Sequence, residues 1–199
     1  MDFIRARTEK QISSRQREII NACDALFSQL GYEGVTIKAI SEMTSFKRTT
    51  IYLYYKTKDE ALLDLLKREM LDWKAAMEER ISTAETMTKE QYCDFFTNVI
   101  AAHDKMLKLY CILTTNIENQ CGLEKLTDFK RETLPVFDVI RESLDKFFPH
   151  ASNENKAFFM TAFLANMLGL YPLVHPTKKQ KEAMKLAGNT YIPPDFKDT

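Results

Sequence analysis

Between residues 47 and 58 the sequence gathers groups suited to a polyanion: Lys47, Arg48, Thr49, Thr50, Tyr52, Tyr54 and Lys58. Cations, hydroxyls and phenols are the side chains that hold phosphate oxygens and reach base edges. An arginine can pair bidentately with guanine, a contact that discriminates by about 1–3 kcal/mol. Thr49 and Thr50 can meet a base edge, a thymine methyl or a phosphate, and the hydroxyl of Tyr52 can donate to a phosphate. Lys58 falls in the first turn of a predicted helix, where its ammonium and the free backbone N–H groups can hold one phosphate together. Upstream, Thr36 offers a hydroxyl and an N–H at a helix start, and Lys38 lies just inside that helix. A plainer placement stays open. Tyr52, Tyr54 and Tyr55 can pack at a helix junction, as Tyr55 is expected to, and Lys47 and Arg48 can be a solvated face.

These groups need elements to present them. Ile19, Cys23, Leu26, Phe27 and Leu30 recur at helical spacing, which predicts a first helix opening near Ser13 or Ser14. Ser13 and Gln16 have capping-box spacing, and Gly31 is the expected stop. Thr36 suits the N-cap of a short helix over 37–43. A polar break, Thr44-Ser45-Phe46, precedes a second short helix over 47–54. Two short helices across a three-residue break, braced by a third, make a helix-turn-helix. Ile37, Ile40, Phe46 and Ile51 are its expected inner face against Leu26, Phe27 and Leu30. Thr57-Lys58-Asp59-Glu60 has capping-box spacing and opens a long helix through Trp73. Further helices are predicted over 89–103, 105–120, 123–148 (kinked at Pro135), 153–172 and 177–187. The fold class is therefore all-α: a three-helix head with a helix-turn-helix over 1–58, a candidate DNA-binding domain, with a flexible arm at 1–13, joined by a long helix to a helical body over 59–199.

Bulk properties limit the function. Apolar residues make up 45% of the chain, and Lys plus Arg balances Asp plus Glu at 28 each. The charge is uneven: residues 1–58 hold 10 basic and 6 acidic residues, residues 59–199 hold 18 and 22. A basic head on an acidic body suits polyanion binding, although a difference this small equally fits chance. The polar start lacks a signal-peptide core, and no run of ~20 apolar residues is expected to span a membrane. A cytoplasmic location follows. Cys23, Cys93, Cys111 and Cys121 form no Cys-x-x-Cys pair, which fits reduced thiols. A thiol sensor at Cys111 and Cys121 is the sharper alternative. With His103, His150 and His175 scattered, no zinc site, cofactor or catalytic residue is expected.

Residues 15–66 resemble the N-terminal domain of TetR-family regulators. The resemblance rests on Ile19, Ala22, Leu26, Phe27, Gly31 and Tyr32, on 35–40 (Val-Thr-Ile-Lys-Ala-Ile), and on the run from Thr50 to Leu62. It implies a recognition helix at 47–54, with DNA contacts from Thr36, Lys38, Arg48, Thr49, Thr50, Tyr52, Tyr54 and Lys58. Three positions depart from the family pattern. Ser45 stands where glycine is usual, Lys47 where serine is usual, and Thr49 where a small residue is usual. Ser45 is expected to need a strained or altered turn. Lys47 is a poor N-cap.

The resemblance further implies a body that binds a small-molecule effector and dimerises through its last long helices. Phe158, Phe159, Phe163, Met167 and Leu170, with Ala162, Ala165 and Gly169, give the 153–172 helix two faces, one for the core and one for a mate. Candidate pocket residues with apolar bulk and a polar tip are Tyr92, His103, Tyr110, Asn116, Asn119, Asn166 and Tyr171. Phe96, Met106, Phe137, Phe163 and Met167 are candidate walls. The function expected is a repressor, released from a palindromic double-stranded operator by its effector. An enzyme in the body, or a helical interaction protein without DNA binding, are the competing classes.

Overall fold

A computed structural model of the chain describes residues 9–189 and Pro193. Every regular element among them is helical. The chain divides into two compact units, one of residues up to 68 with 113–131, the other of 69–112 with residues from 132 onward.

In the first unit, α1 spans Glu9–Gly34, with a break at Gly31. Gly31 has φ 70° and ψ −169°, a conformation essentially reserved for glycine. It turns the chain where the sequence predicts a stop. The start differs from expectation. Residues 9–13 are helical and continue α1, so neither a Ser13 cap nor an arm of that length exists; residues 1–8 lie outside the described residues. Ile19, Ala22, Cys23, Leu26 and Phe27 are buried, whereas Leu30 is 62% exposed and is not part of the expected mini-core. It sits one residue before the break, where the buried stripe ends.

Helix α2 (Ile37–Glu42) is capped by Thr36, whose Oγ1 accepts from Ala39 N at 3.0 Å. Such a cap contributes about 1 kcal/mol. Ile40 and Ile51 are fully buried, and Ile37 and Phe46 are half-buried. Helix α3 (Arg48–Ile51) is shorter than the 47–54 expected, and its last residues form a turn. Lys47 provides no side-chain cap.

Helix α4 (Lys58–Thr83) starts in the first unit and runs on into the second. Thr57 Oγ1 accepts from Glu60 N at 3.2 Å. The return bond of a capping box is absent: Glu60 instead accepts from Lys56 N at 2.7 Å and Gly122 N at 3.3 Å. The predicted 105–120 helix is three pieces: α6 (Asp104–Cys111), a π-turn (Leu113–Ile117) and α7 (Glu118–Gln120). Helix α8 (Leu123–Thr133) gives way at Pro135 to a 3-10 turn, Leu134–Phe137, before α9 (Asp138–Phe147). Proline supplies no amide hydrogen there, so the kink expected becomes a change of helix type.

The second unit also holds α5 (Lys89–Ala101), α10 (Asn153–Val174) and α11 (Lys178–Leu186). Capping boxes at Thr88 and Thr177 start α5 and α11. Met70, Trp73 and Met77 of α4 are buried, as are Tyr92, Phe96 and Ile100 of α5, and Ile140, Leu144 and Phe147 of α9. On α10, Phe159, Phe163, Met167 and Tyr171 recur every four residues, one stripe of a helix. Met167 and Tyr171 are buried, and Phe159 and Phe163 half-buried. Pro172 lies inside α10, which continues two residues past the predicted end.

Helix α10 also corrects the expectation of no span-length apolar run. It has 22 residues with a mean hydropathy of 1.6 in its most apolar window, enough in length and composition to cross a membrane. Only 11% of that window is buried within the chain. Its charges, Glu154 and Lys156, are confined to the first turn, which leaves a long apolar stretch beyond them. The tail expected at 192–195 lies outside the described residues except for Pro193.

Candidate nucleic-acid interface

The break between α2 and α3 is built from α1. Glu18 Oε1 accepts from Ser45 N at 2.7 Å, and Thr44 Oγ1 donates to Ile40 O at 3.0 Å. Among the described residues no non-glycine has positive φ. Ser45 therefore carries no left-handed strain, and the turn is braced by a carboxylate on another helix. Arg15 lies over the Phe46 ring at 5.6 Å, within cation–π reach.

On this frame Lys47, Arg48, Thr49 and Tyr52 are exposed, Tyr52 by 53%. Tyr54 is half-buried. Thr50 is 3% exposed. It lies on the inner side of α3 beside Ile51, not on the outward face expected of it. Tyr55 is fully buried, as expected, and its hydroxyl donates to Asp64 Oδ2 at 2.8 Å. Burial and that carboxylate push its phenol far up from its ordinary value.

Thr36 and Lys38 are exposed; the lysine sits 3.9 Å from Glu42, one turn along. Lys58 is half-buried and engaged, its Nζ donating to Tyr32 O at 3.0 Å and lying 3.7 Å from the Tyr32 ring centre. Tyr32 OH in turn donates to Asp59 Oδ1 at 2.8 Å. An ammonium has three donors, so the Tyr32 carbonyl leaves capacity for a phosphate. The part of Tyr32 in fixing Lys58, and of Glu18 in bracing the break, was not read from sequence. Both contacts join residues 26 or 27 positions apart, and local periodicity carries no signal at that range.

In the second unit a row of rings gathers several candidate pocket residues. Phe96 meets Phe163 edge-on at 4.9 Å. Phe163 stacks on Trp73 at 6.4 Å, Trp73 faces Phe137 at 6.1 Å, and Phe137 meets Tyr110 at 6.0 Å. Tyr92 joins through Phe96 at 5.9 Å. Its hydroxyl is 2.7 Å from Ser143 Oγ, and burial pushes its pKa up to about 12. Trp73, the single tryptophan, is the ring sequence reasoning missed. Its Nε1 is buried with no hydrogen-bond partner among the described residues.

Met106, Met167 and Tyr171 are buried in this unit; Tyr171 OH donates to Asp104. His103 is half-buried, its Nδ1 2.8 Å from Val99 O. Asn166 is exposed on α10. Asn116 and Asn119 belong to the other unit, and Asn119 is exposed, donating to Thr115 O at 3.3 Å. Neither exposed asparagine has the enclosed setting expected of a pocket residue. Among the described residues no three His, Cys, Asp or Glu side chains gather as metal ligands. All four cysteines are free. Burial pushes Cys111 and Cys121 up to about 11 and 12, opposite to what a reactive thiol requires.

Comparison with known proteins adds two family matches. One, described as bacterial regulatory proteins of the tetR family, covers residues 19–65. The other, a tetracyclin repressor-like C-terminal domain, covers residues 67–199. The HTH-type transcriptional regulator RutR of Escherichia coli K12 is 25% identical over 108 residues, 53% of this chain and 50% of RutR. The fatty acid metabolism regulator protein of Bacillus subtilis is 31% identical over 77 residues, 39% of this chain and 40% of that protein. The matched segments thus span half or less of these relatives. A transcriptional regulator of the TetR/AcrR family from Thermobifida fusca shares the fold, with a TM-score of 0.57 at 14% identity over 89% of this chain and 98% of that one.

Proposed function

The chain belongs to the tetR family of bacterial regulatory proteins, and on that premise we propose that it is a cytoplasmic, sequence-specific DNA-binding repressor released from a palindromic operator by a small molecule. On this reading residues 1–58 are the DNA-binding head and residues 59–199 the effector-binding and dimerising body. The observation that carries it is the two-sided short helix α3. Thr50 and Ile51 are buried, while Lys47, Arg48, Thr49 and the adjoining Tyr52 are exposed. A helix of this kind fits the major groove, with its N-terminal residues at the base edges. Arg48 reads a guanine, Tyr52 and Lys58 hold phosphates, and Thr36 and Lys38 flank them. Thr50 supports the helix from beneath.

The ring row around Trp73 is the candidate effector site. It brings together apolar rings and a buried donor, Trp73 Nε1, without a hydrogen-bond partner among the described residues. An effector can release DNA only by binding the DNA-competent arrangement less tightly than the other. The reading assigns the chain no catalytic step.

The test is retention of DNA fragments carrying the operator at rising salt. Counterion release predicts a log–log slope of about −0.9 per phosphate contacted. Arg48→Ala relaxes choice at one base pair, and Lys58→Ala weakens all sequences alike. A flat salt response, or both variants binding as the native chain does, overturns the assignment.

A further inference from the structure

Beside the ring row, α5, α9 and the start of α10 enclose a cleft of about 610 Å³, well within the size range of small-molecule sites. Its floor is aromatic. Phe148 meets Tyr92 edge-on at 5.2 Å, Phe159 at 6.0 Å, and Phe147 lies at 6.1 Å. Since Tyr92 spends its hydroxyl on buried Ser143, this floor presents ring surface without a donor. The polar part of the lining holds Lys89, Lys156, His150 and Asn155, and no carboxylate.

The two lysines differ. Lys156 Nζ is held by Asp145 Oδ1 at 2.6 Å, so its charge is largely answered. Lys89 makes no ion pair among the described residues. Its neighbour Glu90 is fully exposed and tied to the backbone and the Thr88 hydroxyl at the helix start. Glu90 also feels the Lys89 charge, as the last of its influences. An apolar floor with one ammonium outside any ion pair at its edge matches a molecule that is flat and apolar at one end and anionic at the other.

We propose that this cleft is a second small-molecule site, selective for aromatic carboxylates, with rings on Tyr92, Phe148 and Phe159 and the carboxylate on Lys89. The site stands apart from the DNA-binding reading, since occupancy is measured without DNA. An exposed lysine favours the carboxylate over a neutral isostere by about twofold to fivefold in affinity.

Cys93 is exposed on the cleft wall and reports occupancy. The full chain is treated with iodoacetamide in the presence of 2-naphthoate or its neutral counterpart, 2-naphthamide. Cys93→Ser identifies the fast-reacting thiol. Both probes should slow alkylation, with naphthoate effective at about one-half to one-fifth the concentration. Lys89→Gln should bring naphthoate down to the level of the amide, and Ala151→Trp, which fills the cleft from a half-buried bend, should weaken both. Equal protection by the two probes, or an unchanged ratio in Lys89→Gln, overturns the proposal. So does protection of Cys93 that rises with protein concentration and needs no probe, because a second copy of the chain then covers the cleft.

Discussion

Two adjacent threonines divide their roles at the level of the single residue. Thr49 is exposed and Thr50 is buried, so the same change at each should act on different quantities. Thr49→Ala is expected to alter operator affinity and leave unfolding by urea within about 0.5 kcal/mol of the native chain. Thr50→Ala should lower stability by about 1 kcal/mol and leave sequence choice intact, both read from urea curves alongside fragment retention. Sequence reasoning named both as contacts because a hydroxyl in this motif looks the same on either side of α3. The helix covers only Arg48–Ile51, too short for a periodic pattern to assign faces. Tyr55 was legible because its aromatic body follows that short helix at the junction with α4. Its neutral phenol also sets a pH dependence. The folded pKa lies far above the ordinary value of 10 through burial and Asp64, as it does for Tyr32 through burial and Asp59. The native state then holds protons that the unfolded chain has released, so stability is full below pH 10 and falls as pH rises beyond it. Thermal unfolding followed by circular dichroism should show the midpoint dropping above pH 10, and less steeply in Tyr55→Phe.

Among the elements, the first part of α8 belongs with the head unit, through contacts that no local pattern announces. Lys125 Nζ donates to both oxygens of Asp64 at 2.7 Å, beneath the Tyr55 hydroxyl bond. Gly122 N and Gln120 O meet Glu60 and Thr57 at the start of α4. The side chain of Asp64 is 8% exposed, and Lys67, at 3.8 Å, is its weaker second cation. Removing Lys125 therefore leaves a buried carboxylate partly answered. Lys125→Met should cost about 2 kcal/mol in urea unfolding, and a paired Asp64→Asn change should recover part of it. A purely additive double variant would mean the pair is not coupled. The sequence revealed the existence of nearly every helix, because apolar periodicity and caps such as Thr36 are local. It did not reveal that 105–120 breaks into α6, a π-turn and α7, nor that 113–131 packs with the head, which depends on partners some 60 residues away.

The whole molecule is expected to be a pair of chains, and α10 is where this has to be decided. One stripe of the helix, from Phe159 to Tyr171, faces its own unit, while Phe158 and Leu173 are 74% and 65% exposed and Leu168 also lies open. A helix apolar on every side is stable in water only when both sides are covered, and exposed patches of this kind mark interaction surfaces. The family model over 67–199 assigns this region to a repressor-like C-terminal domain. A two-fold dimer through α10 would cover the outer side and supply two α3 helices, the number a palindrome requires. Their separation would have to be about 34–36 Å, one turn of duplex, for both to enter the major groove on one face. Phe158→Glu places a charge on that outer side without touching the inner stripe. Sedimentation should then show a monomer where the native chain is a dimer, with circular dichroism unchanged. Operator retention should fall to the level of unrelated DNA, because each monomer retains one recognition helix and loses the gain from its mate. A variant that still sediments as the native dimer would move the interface elsewhere. One that becomes monomeric yet binds its operator undiminished would sever dimerisation from recognition and remove the symmetry on which the proposed operator rests.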